Sequence, residues 1–265
     1  MTKTYEEIIS IIRRDIEKLE QALSSELAYP NDTLNKILHA PAKRIRPAIA
    51  FLLLKANNKD ISQEDFDFQI AIELAHTASL IHDDVIDESS QRRGVSSMNS
   101  TDGNKLAILA GDYLLSIALK KIINQPSAIT KFLNTFTEMA LGEINQLLTK
   151  FQHTNLETYL EKTHKKTAEL FALALHNTSS EFGLNFGLAF QIHNDLKDID
   201  EDIKNGIYTA PIIFSGSTNV SDVGIQKTKD LINYYLLKAK DELNKLPQNE
   251  YTQALFEILE LYKQW

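Results

Sequence analysis

Apolar residues recur at intervals of three and four along nearly the whole chain, which is the signature of helices that each bury one face. Ile8, Ile9, Ile12, Ile16, Leu19 and Leu23 predict an amphipathic helix over 5–27, ended by Pro30-Asn31-Asp32. A second helix is expected over 47–56, with Pro47 in its first turn, where a missing N–H costs nothing. After a polar break at 57–62, one long helix spans 64–87, followed by a polar loop over 89–102. Further helices are expected over 105–123, 127–150, 155–181 and 184–204. Gly206 and Pro211 then interrupt the pattern, and Pro247 separates two amphipathic helices over 222–246 and 250–263. No stretch alternates over six or more residues, and neither a repeat nor a low-complexity tract is present. The expectation is an all-α, single-domain bundle over 1–265, with roughly ten or more helices, several of them apolar on more than one face and therefore central.

Composition narrows the picture. A chain with 43% apolar and 24% charged residues is an ordinary globular protein, and 9 Gly with 6 Pro leave few punctuators for a many-stranded fold. A net charge of −8 provides no basic field for nucleic acid or an anionic membrane. The absence of cysteine excludes disulfides, a thiolate nucleophile and Cys-ligated metal, and fits a cytoplasmic location. The N-terminus lacks the pattern of a signal peptide, and the longest strongly apolar run, 48–54, is too short to span a bilayer.

The chemistry lies in two acid-rich segments, Ile81-His82-Asp83-Asp84-Val85-Ile86-Asp87 and Gln191-Ile192-His193-Asn194-Asp195-Leu196-Lys197-Asp198. Each closes an apolar stretch, where carboxylates without a partner are costly, so a cation is expected between them. Asp83 and Asp87 share a helix face, as do Asn194 and Asp198. Mg²⁺ takes hard oxygen ligands and is commonly held by one or two carboxylates plus substrate phosphates, so two such clusters describe a diphosphate clamp. Three basic groups accompany them: Lys43-Arg44-Ile45-Arg46 at a helix start, Arg92-Arg93, and Lys166 beside Thr167. Taken singly, each is ordinary surface charge. Together, in an acidic chain, they imply two separate anion sites.

In order along the chain, Lys43-Arg44-Ile45-Arg46-Pro47, Asp83-Asp84-Val85-Ile86-Asp87 with Arg92-Arg93-Gly94, Ala110-Gly111-Asp112, Gly142-Glu143 with Gln146, Lys166-Thr167-Ala168 and Phe190-Gln191-Ile192 resemble the motifs of the trans-prenyl diphosphate synthases, the polyprenyl synthetase family. The resemblance covers about 40–213 and implies an isoprenoid synthase fold around a central prenyl-chain cavity. By resemblance, Lys43, Arg46, His76 and Arg93 hold the diphosphate of isopentenyl diphosphate. Arg92 and Lys166 grip the diphosphate of an allylic partner such as farnesyl diphosphate, while Thr167 and Gln191 stabilise positive charge on its carbon. The metal set is Asp83, Asp84, Asp87, Asn194, Asp195 and Asp198, holding Mg²⁺, with three ions implied per site. A homodimer is implied, as is transient membrane contact for release of a greasy product.

Product length in this family is set beneath the first acidic motif, where bulky aromatic residues close the pocket early. Here Ala75, Ala78 and Ser79 are small, so a long product is expected, in the hexaprenyl to octaprenyl range. The chain also departs from the family. Asn194 replaces the first Asp of the second motif, and Gly206-Ile207-Tyr208-Thr209-Ala210-Pro211 lacks the lysine usual after the glycine, unless Lys197 or Lys204 substitutes for it. A terpene cyclase of the same fold is the nearest alternative, but a cyclase needs no second anion site. A non-catalytic subunit of a heteromeric synthase is the other, and it is expected to lose the acidic motifs that this chain keeps.

Overall fold

The computed structural model describes residues 3–26, 32–39, 42–92, 94–152 and 154–264, and they are helical nearly throughout. Among them the only strands are a two-residue hairpin, β1 (Gln91–Arg92) against β2 (Val95–Ser96), antiparallel, with Arg92 opposite Val95. The all-α expectation holds. The polar loop expected over 89–102 contains this hairpin, and Gly94, at φ +78, supplies the left-handed residue in its turn.

Two compact units emerge, Ile12–Phe51 with Asp60–Ile129, and Met1–Ile11 with Leu52–Lys59 and Thr130–Trp265. The first contains α2 (Arg13–Glu26), α3 (Asp32–His39), the start of α4 (Ile45–Ala56), α5 (Gln63–Ile86), the hairpin, α6 (Met98–Asp102) and α7 (Asn104–Lys121). Ser62 caps α5 reciprocally with Asp65, and the helix buries Phe66, Phe68, Ile70, Leu74, Ala75 and Ala78. Helix α7 lies against it closely enough that a Cβ on Gly111 would stand 2.1 Å from Nε2 of His82. Arg44, at φ +45, buries its guanidinium on Glu20 of α2 (2.6 Å) and Glu73 of α5 (2.9 Å), so one of the basic run's cations is structural.

The second unit contains α1 (Tyr5–Ile9), α8 (Pro126–Leu148, apart from its first turn), α9 (Leu156–Thr163), a π-helical segment (His164–Ala168) and α10 (Glu169–Ala174). There follow α11 (Ser180–Lys197), α12 (Ile199–Lys204), α13 (Ala210–Ser215), α14 (Asp222–Leu243) and α15 (Glu250–Leu261). Helix α11 runs through the core, carrying Phe182, Phe186 and Phe190 into a ring cluster with Phe171 and Tyr262. Gly183 and Gly187 let it meet the preceding segment backbone to backbone. A Cβ on either would lie 2.8 and 2.7 Å from backbone atoms of Ala172 and Ala168, respectively.

Several boundaries differ from expectation for local reasons. The helix expected over 5–27 passes through a 3₁₀ turn at Ser10–Ile12, where the Ser10 hydroxyl donates back to the Glu7 carbonyl. The helix expected over 155–181 stops at Ala174, because Ser179 caps a new helix by accepting from the Phe182 N–H. The segment 184–204 divides at Asp198. Helices α3, α6 and α13 lie in segments where the apolar spacing predicts none, and Pro30, Asn31 and Arg93 lie outside the described residues.

Candidate active site

Both acidic motifs end a helix, and in both the last Asp is the C-cap. The Asp87 N–H donates to the Asp83 carbonyl at 2.8 Å and the Asp198 N–H to the Asn194 carbonyl at 3.0 Å. Carboxylates are unfavourable there, since the C-terminal end of a helix already carries partial negative charge. Such an arrangement makes sense if a cation offsets it.

In the first unit the three acids divide. Asp83 is half-buried and Asp87 exposed, one turn apart on the same face. Asp84 points elsewhere: it is 1% exposed and its Oδ1 accepts from Arg92 Nε (2.9 Å) and Nη2 (2.5 Å). This pairing matches the Asp84 charge with that of Arg92. It also places Arg92, expected on the allylic diphosphate, as a half-buried guanidinium held by Asp84. Asn99 fixes the return of the loop, its amide donating to the carbonyls of Asp84 and Ser89. Lys43 is exposed just before α4, Arg46 is buried in its first turn, and His76 is half-buried two turns before Asp83 on the same face of α5. Ala75 and Ala78 are fully buried, and the half-buried Ser79 donates to the His76 carbonyl.

In the second unit the residues form a continuous line. Thr167, in the π-helical segment, donates to Gln191 Oε1 at 2.9 Å, and Gln191 Nε2 donates to Asp195 Oδ1 at 2.7 Å. The other oxygen of Asp195 accepts from the Tyr159 hydroxyl at 2.5 Å. The Gly187 contact sets this spacing, since it brings α11 onto Ala168, the residue after Thr167. Lys166 pairs with Glu143 on α8, which also accepts from Gln146. Tyr159 was not singled out from sequence, where nothing but its distance from Asn194-Asp195 in the fold could identify it.

The acids here sit uneasily as anions. Burial pushes the Asp195 carboxyl up to about 6, against hydrogen bonds from Tyr159 and Gln191. Burial and the Asp195 charge raise Asp202 to about 7, with Thr209 opposing. Among the described residues, no three acidic or histidine side chains converge into a ready-made metal cage. The donor set nevertheless fits Mg²⁺, which binds through a few carboxylate oxygens and completes its shell with phosphate and water. In the first unit half-buried Asp83 and exposed Asp87, and in the second mutually repelling Asp195, Asp198 and Asp202, are donors of that kind.

The profile of the polyprenyl synthetases matches residues 28–230, most of the chain. The chain belongs to the polyprenyl synthetase family. A prenyl transferase from Cyanidium caldarium is 34% identical over 250 residues, covering 82% of this polyprenyl synthetase and 77% of its relative. A decaprenyl-diphosphate synthase from Dictyostelium discoideum is 35% identical over 268 residues, covering 82% of this chain and 58% of that longer protein. The fold agrees: the structure of a polyprenyl synthase from Caulobacter crescentus, complexed with calcium and isoprenyl diphosphate, superposes with a TM-score of 0.88 at 23% identity over 100% of this chain and 99% of that one. Membership makes this polyprenyl synthetase a prenyl-transferring enzyme of isoprenoid biosynthesis, and it favours chain elongation over the cyclase and non-catalytic alternatives.

Proposed function

We propose that this polyprenyl synthetase joins isopentenyl diphosphate head-to-tail, in trans, to an allylic prenyl diphosphate, and that it extends the product to the hexaprenyl to octaprenyl range. The observation that carries the reading is the line from Thr167 through Gln191 to Asp195. The barrier is ionisation of the allylic carbon–oxygen bond, in which the electron pair leaves with the diphosphate and the carbon becomes cationic. Thr167 Oγ1 and Gln191 Oε1 offer that carbon two negative dipole ends already locked together, so they need no reorganisation as charge develops.

Lys166 and Arg92 compensate the departing diphosphate, and Lys43, Arg46 and His76 seat that of isopentenyl diphosphate, with Arg93 as their partner by resemblance. Mg²⁺, when bound, supplies positive charge to the leaving diphosphate, with Asp83, Asp87, Asp195 and Asp198 as carboxylate donors and Asn194 as a neutral one. The alkene of isopentenyl diphosphate then attacks the carbon, and the released diphosphate takes the final proton. Water must be kept away from the cation, or it is quenched.

Residues 1–265 then form a single catalytic domain. Two copies pair through the exposed apolar stripe of α8 formed by Leu133, Leu141, Ile144 and Leu148. The cysteine-free sequence suits the cytoplasm, and contact with lipid is transient, for product release; no described helix is long and apolar enough to cross a membrane. Incubation with Mg²⁺, labelled isopentenyl diphosphate and geranyl or farnesyl diphosphate tests the reading. Linear products about six to eight isoprene units long are expected; no incorporation of label would overturn it.

A further inference from the structure

The second unit holds a cavity of about 190 Å³ whose walls include Gln146, Tyr159, Lys162, Gly206, Ile207 and Tyr208. It is smaller than the roughly 300–1,000 Å³ of pockets that enclose whole small molecules, so it suits a polar head group rather than a prenyl chain. Two residues of its walls bond to acids of this unit. Tyr159 donates to Asp195, and the Ile207 N–H donates to the Asp202 carbonyl, which fixes the turn at Gly206.

Lys162 is the informative wall. It lies four residues before Lys166 and is half-buried, and no hydrogen bond or ion pair closes on its ammonium among the described residues. The carboxylates whose charges reach it are already engaged: Glu143 by Lys166, Asp195 by Tyr159 and Gln191, and Asp202 by Thr209. Burial and then the Lys166 charge hold its pKa below the ordinary lysine value, with Asp195, Glu143 and Asp202 opposing. Two like charges a turn apart repel, and an anion between them removes that cost.

We propose that Lys162 binds an oxygen of the allylic substrate's diphosphate from this cavity, as a second cation beside Lys166. Ile207, which by resemblance stands where the family carries a lysine, lines the same cavity, so Lys162 supplies a positive charge there in its stead. The proposal rests on the prenyl-transfer reading for the identity of the anion.

The test compares Lys162→Met, Lys162→Arg and the double variant Lys162→Met/Ile207→Lys. Lys162→Met is expected to raise the KM for the allylic diphosphate and the inhibition constant of inorganic pyrophosphate about tenfold, leaving the KM for isopentenyl diphosphate within about twofold. Lys162→Arg should stay near wild type, and Ile207→Lys should recover most of the loss. An unchanged pyrophosphate constant in Lys162→Met, an equal rise in both KM values, or no recovery by Ile207→Lys would overturn the assignment. Calorimetric titration of wild type and Lys162→Met with Mg²⁺ and inorganic pyrophosphate separates the two readings. A wild type that binds pyrophosphate through Lys162 but turns over no prenyl substrate refutes the function and leaves the site standing.

Discussion

The hydroxyl of Thr167 donates to the side-chain carbonyl of Gln191 at 2.9 Å, which fixes the amide so that its NH₂ group faces Asp195. Thr167→Val keeps the shape and removes the hydroxyl. We expect kcat to fall about 10- to 100-fold with little change in either KM, because the lost interaction matters only once positive charge has formed. Steady-state kinetics with both substrates varied is the check; a change in KM alone would mean that Thr167 binds substrate rather than stabilising the transition state.

Asp84 and its neighbours should separate cleanly by assay. Asp84→Asn removes the buried counter-ion of Arg92 and should cost about 1–3 kcal/mol in urea unfolding. Asp83→Asn and Asp87→Asn, on the half-exposed and exposed face, should leave stability within about 0.5 kcal/mol and instead raise the Mg²⁺ concentration needed for half-maximal rate. Equal effects of all three on metal activation would mean that Asp84 serves the metal as well as Arg92.

Gly187→Ala introduces a methyl group 2.7 Å from the Cα of Ala168, a backbone atom that cannot step aside. Destabilisation of about 1–3 kcal/mol is expected, together with a loss of kcat as Gln191 is pushed from Thr167. Thermal unfolding and turnover should therefore fall together. Intact kcat in a destabilised variant would show that the spacing of the two side chains is set elsewhere.

Ala78→Phe fills the wall that precedes the first acidic motif. Products should shorten while the rate of the first condensation is retained, as read by sizing labelled products from farnesyl diphosphate. An unchanged distribution would place the length-setting wall elsewhere.

Asn194→Asp restores a carboxylate at the start of the second motif and should lower the Mg²⁺ requirement for activity. Mg²⁺ titration of the rate is the measurement, and an unchanged requirement would mean that this position does not face the metal.

Much of this was legible in the sequence. The apolar spacing from Phe66 to Ile81 marked α5, and the acidic motif announced its end within a residue. The helix period alone separates Asp84 from Asp83 and Asp87, yet the motif encouraged grouping all three, and the fold was needed to show Arg92 turned back onto Asp84. The stop at Ala174 was hidden because Leu170 to Leu175 are apolar on every side; what ends the helix is the cap at Ser179, a polar residue in an unremarkable Asn-Thr-Ser-Ser run. Neither Tyr159 nor Lys162 carries a local signal. Their roles come from a cavity and a carboxylate distant in sequence.

Gly183 and Gly187 have a consequence for repeated catalysis. With their backbones in contact, α11 and the segment carrying Thr167 are packed too closely to slide past each other. An enzyme that adds one five-carbon unit after another presents a reacting end that never varies and a tail that always does. On the proposed role of Thr167 and Gln191, a lengthening tail leaves that pair in place, and the first and last additions meet the same two oxygens.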